Sequence, residues 1–170
     1  MRPFKAYLID QKDGKTVAGF AQLNEEQLDQ GEVTIKVAYS SVNYKDALAA
    51  TGAGRIIRRH PCVGGIDMAG TVVRSTDARF REDDEVIATS YDIGVAHHGG
   101  YAEYGRVPAD WVVPLPKGMS LFDSMALGTA GYTAALGVVR MEENGLKPAN
   151  GRVVVSGATG GVGSIAVDIL

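Results

Sequence analysis

Hydrophobic and polar positions alternate along much of the chain up to about Pro116. The pattern is clearest from Glu32 to Ser40, where Val33, Ile35, Val37 and Tyr39 interleave with Thr34, Lys36, Ala38 and Ser40. That period of two is what a half-buried strand requires, because successive side chains leave opposite faces. Similar reasoning predicts strands over Phe4 to Ile9, Thr16 to Gln22, Ala69 to Arg74, Glu85 to Thr89, Tyr101 to Val107 and Trp111 to Pro114. Asp13-Gly14 supplies a hairpin turn between the first two, and Gly64-Gly65, Gly99-Gly100 and Pro108 punctuate the rest. Many short strands joined by glycine turns predict a partly closed β-barrel.

After Pro114, Pro116 and Gly118 the character changes. Ser120-Leu121-Phe122-Asp123 is a capping box opening a helical stretch of small and apolar residues, and a second helix is predicted from about Thr129 to Glu143. Asn150-Gly151 then turns into a buried strand, Arg152 to Val155. A glycine turn and the apolar start of a helix (Val162, Ile165, Ala166, Ile169) follow. This division places a domain boundary near residue 122, giving segments 1–122 and 123–170. A parallel strand needs a crossover and a partner strand, and neither follows Val155, so the chain reads as an incomplete copy of a longer protein.

Composition narrows the classes. The 170 residues are 45% hydrophobic and 22% charged, with a formal net charge of -3, so nothing points to nucleic-acid binding. No window approaches the roughly 20 apolar residues of a membrane span, and the amino end lacks the apolar core of a signal peptide. A cytoplasmic location is expected. The single cysteine, Cys62, excludes an internal disulfide and any zinc site built from several thiolates.

Val153-Val154-Val155-Ser156-Gly157-Ala158-Thr159-Gly160-Gly161-Val162-Gly163 is a buried strand feeding a glycine turn that opens a helix, the context of a dinucleotide site. Glycines let the backbone approach a pyrophosphate, and the helix start presents unpaired N–H groups to it. Ala158 stands where the first glycine of the usual fingerprint would be, while Gly160 and Gly163 keep the other two. Thr159, Gly160, Gly161, Val162 and Gly163 are the candidate cofactor contacts. The alternative is that these glycines only permit close helix–strand packing.

Four further motifs, Ser41 to Leu48, Gly64 to Gly70, Gly99 to Tyr104 and Gly128 to Ala134, resemble those of the medium-chain dehydrogenase/reductases. Asn43-Tyr44-Lys45-Asp46-Ala47-Leu48 followed by Gly65-Ile66-Asp67-Met68-Ala69-Gly70 is most similar to the YhdH/YhfP branch of quinone-oxidoreductase-like proteins, which includes NADPH-dependent acrylyl-CoA reductases. The resemblance implies a GroES-like catalytic barrel, a Rossmann domain that is cut short here, and an active site in the cleft between them. It implies NADPH as cofactor and a homodimeric full-length protein. Where zinc-dependent relatives carry Cys-x-x-Asp and Gly-His-Glu, this chain has Asn43 to Asp46 and Gly65-Ile66-Asp67, and an amide and an alkyl group are not competent zinc ligands. No catalytic metal is expected. Hydride addition to an activated double bond or a quinone is then the natural chemistry.

The resemblance places Asn43, Asp46 and Asp67 in the catalytic site, Tyr44 against the nicotinamide, and Thr129 and Thr133 facing the cofactor. The residues also admit plainer accounts. Asn43 and Asp46 have the spacing of a helix-capping pair, and both roles can hold together. Asp67 lies in an apolar run from Val63 to Val73, where a carboxylate must be paired, protonated or functional. Arg55, Arg58 and Arg59 read either as a solvated basic face or as an anchor for coenzyme A phosphates. His97 lies in a loop expected to line the cleft, and the pair His97-His98 lacks metal-ligand spacing. Thr129 to Thr133 is explained nearly as well by helix packing. The expected activity is reduction of acrylyl-CoA or another short 2-enoyl-CoA. Quinone reduction is the rival within the fold, and a non-catalytic nucleotide-binding or structural protein the rival from another class.

Overall fold

A computed structural model describes residues 2–170. Two strands, β1 (Phe4–Lys12) and β2 (Lys15–Leu23), pair antiparallel from Phe4 opposite Leu23 to Lys12 opposite Lys15. The turn joining them is Asp13-Gly14, both at positive φ (50° and 75°), as a two-residue hairpin with right-handed twist demands. A two-residue strand unmarked by any sequence pattern, β4 (Cys62–Val63), borders β1 on its other side, giving a sheet of order β2-β1-β4.

The second sheet has the order β7-β3-β5-β6-β8, built from β3 (Val33–Tyr39), β5 (Asp67–Ser75), β6 (Glu85–Thr89), β7 (Tyr104–Val107) and β8 (Val112–Pro114). Its inner face carries the main core, with Val33, Ile35, Met68, Val72, Val86, Ala88, Val107 and Val112 packed on Phe80 and Ile93. A second cluster of Phe4, Ala6, Leu23, Leu28 and Val63 fills the space beneath the first sheet. The simple alternation expected in β3 is modified at both ends. Thr34 is buried because its register partners Arg74 and Arg106 both reach Glu25, which closes that face, whereas Tyr39 is half exposed and stacks edge-on with Phe122.

The strand expected from Tyr101 begins only at Tyr104. Tyr101 to Glu103 leaves the second sheet to bond with the first: Tyr7 N donates to Tyr101 O (2.7 Å) and Glu103 N to Lys5 O (3.1 Å), while Val37 N donates to Glu103 O (2.9 Å). This crossing segment joins the sheets into a partly closed barrel.

Helix α1 (Tyr44–Thr51) follows β3, and α2 (Leu121–Glu143) follows β8. The Ser120–Asp123 box forms as expected, with Asp123 N donating to Ser120 Oγ (3.1 Å) and Ser120 N donating to Asp123 Oδ2 (3.3 Å). Gly128 (φ 49°, ψ -153°) breaks α2, so the helical turns restart at Thr129. The chain divides into a first compact unit ending at Ala126 and a second from Leu127 to Leu170. In the second unit Arg152 to Val155 forms no strand, which corrects the expectation: β-structure is made by ladder bonds, and among the described residues this segment has no partner strand. Helix α3 (Gly161–Ile169) follows the glycine turn.

Candidate active site

Asp67 opens β5 with its side chain fully buried, at 0% exposure. A carboxylate there needs donors to replace water, and the link between β3 and α1 supplies them. Ser41 Oγ and Asn43 Nδ2 (2.8 Å) both donate to Asp67 Oδ2, and Asn43 Nδ2 also lies 3.0 Å from Ser41 Oγ. Ser40 Oγ donates to the Asp67 carbonyl (2.7 Å), fixing the backbone of the same residue.

Asp46, 5% exposed, is the N3 residue of α1. Its Oδ2 accepts from the Asn43 amide (2.8 Å) and its Oδ1 from the Ile66 amide (3.1 Å). The plain capping account is therefore realised for Asp46, which also ties α1 to the turn carrying Asp67. The structure thus brings Asn43, Asp46 and Asp67 into one cluster. Asn43 Nδ2 donates to both Ser41 Oγ and Asp67 Oδ2, and an amide nitrogen, whose lone pair is delocalised into its carbonyl, is no cation ligand.

Two glycine turns hold the frame. Gly65 has φ of 89°, and a Cβ there would strike the Tyr101 ring at 2.6 Å; a Cβ on Gly100 would lie 2.1 Å from the Asp67 carbonyl oxygen. Close approach is fixed by Gly99 N to Val63 O, Gly100 N to Gly65 O and Tyr101 N to Gly64 O, each 2.9 Å. The phenol of Tyr101 consequently reaches the cluster, donating to the Ser41 carbonyl (3.0 Å). Burial, and after it the carboxylates Asp46 and Asp67, push the Tyr101 hydroxyl far above its ordinary range, so it stays protonated.

The alcohol dehydrogenase GroES-like domain family matches residues 29–117, more than half of the chain. The chain belongs to this family. Within the medium-chain dehydrogenase/reductases it falls in the quinone-oxidoreductase-like YhdH/YhfP branch, and its fold is a GroES-like barrel followed by the start of a Rossmann α/β domain. It is 58% identical over 148 residues to the putative quinone oxidoreductase YhfP of Bacillus subtilis, covering 87% of this chain and 45% of that protein. It is 50% identical over 166 residues to the probable acrylyl-CoA reductase AcuI of Escherichia coli, covering 98% and 51%. The crystal structure of the yhdH oxidoreductase from Salmonella enterica in complex with NADP superposes with a TM-score of 0.94 at 52% identity, covering 96% of this chain and 50% of that one. The chain spans about half the length of the curated relatives it matches.

The other candidates of this GroES-like chain fall in separate places. Tyr44 is 80% exposed at the first turn of α1. Arg58 pairs with Asp92 on the surface, and Arg55 is exposed. Arg59 is gripped by both oxygens of Asp29, through Oδ1 and through Oδ2 at 2.6 Å, and Asp29 Oδ2 also accepts the His98 amide (2.6 Å). Burial raises the Asp29 carboxyl, but Arg59 and the His98 amide outweigh it and hold Asp29 below the usual carboxylate range. Burial lowers His98, whose Nδ1 accepts from Val63 N (3.0 Å), and pushes the Cys62 thiol up to about 11, so it remains a thiol. His97 bonds the Arg106 carbonyl through Nε2 (2.7 Å) and packs edge-on to Trp111.

In the second unit Gly157 adopts φ of 65° and Gly160 caps α3. A Cβ on Gly163 would lie 2.1 Å from the Gly157 carbonyl oxygen, so the turn closes only over glycine. The first in-helix bond runs from Ser164 N to Gly160 O (2.9 Å), which leaves the amides of Gly161, Val162 and Gly163 facing out of the helix start. Thr159 is exposed beside them. Gly161 abuts Ala130, with a Cβ there 3.4 Å from the Ala130 Cβ, which brings the Thr129 turn next to the glycine turn. The Thr133 hydroxyl bonds back to the Thr129 carbonyl (2.7 Å).

The sequence patterns passed over Ser41 and Tyr101. A buried carboxylate needs donors, and Ser40-Ser41-Val42-Asn43 is a donor-rich stretch that could have been matched to Asp67. Tyr101 lies in the Gly99 to Tyr104 motif, but no local pattern pairs it with Ser41.

Proposed function

We propose that the whole protein is an NADPH-dependent reductase of activated carbon–carbon double bonds, acting on acrylyl-CoA or another short 2-enoyl-CoA thioester. The observation that carries the chemistry is the buried Asp67 carboxylate held by Asn43, in a chain 50% identical over nearly its full length to a probable acrylyl-CoA reductase. Residues 1–122 serve as the catalytic domain and residues 123–170 begin the nucleotide-binding domain.

The glycine turn fits a dinucleotide: it is closed over Gly163, and three consecutive amides at the start of α3 suit a pyrophosphate. Thr159, Gly160, Gly161, Val162 and Gly163 would hold that group, with Tyr44, Thr129 and Thr133 toward the nicotinamide and its ribose. When bound, the cofactor would supply hydride to the β-carbon of the alkene, and the resulting enolate would take a proton from water at the α-carbon. Asn43, Asp46 and Asp67 orient the reactants and set the local potential. Asn43 Nδ2 donates to Ser41 and Asp67, and both Asp46 oxygens accept backbone amides, contacts that suit an orienting role. Arg58 and Arg55 are the residues best placed for coenzyme A phosphates, because an exposed pair such as Arg58–Asp92 exchanges partners at little cost. Arg59 and His97 are engaged within the barrel.

A second reading, quinone reduction, is favoured by the similarity to YhfP. NADPH oxidation by the whole protein with acrylyl-CoA and with a quinone separates the two by their kcat/KM ratio. Turnover with neither points to the non-catalytic alternative.

A further inference from the structure

We infer that Ser41 and Tyr101 form a positioning pair that sets the orientation of Asp67 for the reduction, an inference that rests on the activity proposed above. Asp67 Oδ2 is fixed in direction by two donors from one short link, Ser41 Oγ and Asn43 Nδ2. The hydroxyl sits at the centre of the arrangement, because Ser41 Oγ gives its only hydrogen to Asp67 while receiving one from the Asn43 amide. Removing it frees one Asn43 hydrogen and one lobe of the carboxylate together.

Ser41 is in turn fixed from the other side of the barrel. The Tyr101 phenol donates to the Ser41 carbonyl, and the Tyr101 backbone is pinned by Gly64 O, so a residue 60 positions away decides where the Ser41 hydroxyl points. Tyr101 does not act as a proton donor here. A phenolate at this place would face the carboxylates of Asp46 and Asp67 in a poorly solvated setting, and the hydroxyl accordingly keeps its proton. Neither Ser41 nor Tyr101 has to touch substrate. Both act through Asp67, and because they act through the same link their effects overlap.

The test uses Ser41→Ala, Ser41→Thr and Tyr101→Phe in the whole protein. Loss of one hydrogen bond to a buried carboxylate is expected to lower kcat for enoyl-CoA reduction by about tenfold in Ser41→Ala. KM for the thioester and Kd for NADPH stay within about twofold, since only orientation changes. Ser41→Thr keeps the hydroxyl and restores most of the rate. Tyr101→Phe shows a smaller fall in kcat, and the Ser41→Ala/Tyr101→Phe double variant falls by less than the product of the two. Undiminished kcat in Ser41→Ala, or Ser41→Thr as poor as Ser41→Ala, overturns the inference. If Ser41→Ala fails to fold, Tyr101→Phe alone decides through the same split between kcat and KM. Should the wild-type protein reduce neither alkene nor quinone, the activity reading fails. The crystal structure of the variant then tests the pair separately: an Asp67 carboxylate that turns in Ser41→Ala supports it, and an unmoved one refutes it.

Discussion

Gly100→Ala tests the claim that glycine contacts set the geometry around Asp67. An added Cβ would stand 2.1 Å from the Asp67 carbonyl oxygen and 2.9 Å from Met68 Cβ, roughly 1 Å inside any tolerable carbon–oxygen contact. The obstacle is strand backbone rather than a flexible side chain, so the crossing segment itself must move. It is held by three bonds of 2.9 Å, from the amides of Gly99, Gly100 and Tyr101 to Val63, Gly65 and Gly64. Overpacking alone costs about 1–3 kcal/mol, and loosening one such bond adds about 1 kcal/mol, for a total of about 2–4 kcal/mol. In thermal unfolding this corresponds to a fall in Tm of roughly 4–16 °C. Because the displaced segment carries Tyr101 and borders Asp67, turnover measured at 20 °C, where the variant is still folded, is expected to drop by at least about tenfold; a 1 Å misplacement can cost on the order of 10²-fold. Gly19→Ala is the control, since nothing lies within 4 Å of a Cβ there. A Gly100→Ala protein that melts within about 2 °C of wild type and keeps its turnover would refute the reasoning.

Three further outcomes are expected. Gly163→Ala, whose Cβ would meet the Gly157 carbonyl at 2.1 Å, should weaken NADPH binding at least about tenfold by titration calorimetry, and unchanged affinity would remove the glycine turn from the cofactor site. Acidification should destabilise the barrel in two steps. His98 is lowered from its ordinary value of 6.5, so the unfolded chain takes up a proton first and stability falls as pH drops below that value; Asp29, held below its ordinary 3.8, adds a loss as pH falls through its folded-state value. Melting temperatures of His98→Asn, whose amide oxygen can accept from Val63 N, should lack the upper step, and an identical pH profile would reject the assignment. Arg58→Glu should raise KM for the thioester by about tenfold and leave KM for a quinone unchanged, whereas equal changes would place Arg58 outside the substrate contacts.

Most of the elements were legible locally. The Asp13-Gly14 hairpin, the existence of strand β3, the Ser120–Asp123 cap and the restart at Thr129 depend on neighbours within a few residues, and all are present, although the alternation within β3 is broken at its ends. Where local reasoning failed, a distant partner decided. Arg152 to Val155 has strand-like residues but no ladder, Tyr101 to Glu103 was drawn to β1, and the two residues of β4 carry too little pattern to be seen. For the site, the sequence by itself determined that Asp67 sits in an apolar run needing donors and that Asn43 and Asp46 have capping spacing. Only the tertiary structure decided which donors answer it. Ser41 lies 26 residues from Asp67 and Tyr101 lies 60 from Ser41, and Arg58 and Arg59, adjacent in the chain, went to Asp92 and Asp29. Backbone patterns are written in short-range periodicity, whereas a buried charge is matched by whichever groups the packed sheets carry to it, and no local pattern records that meeting.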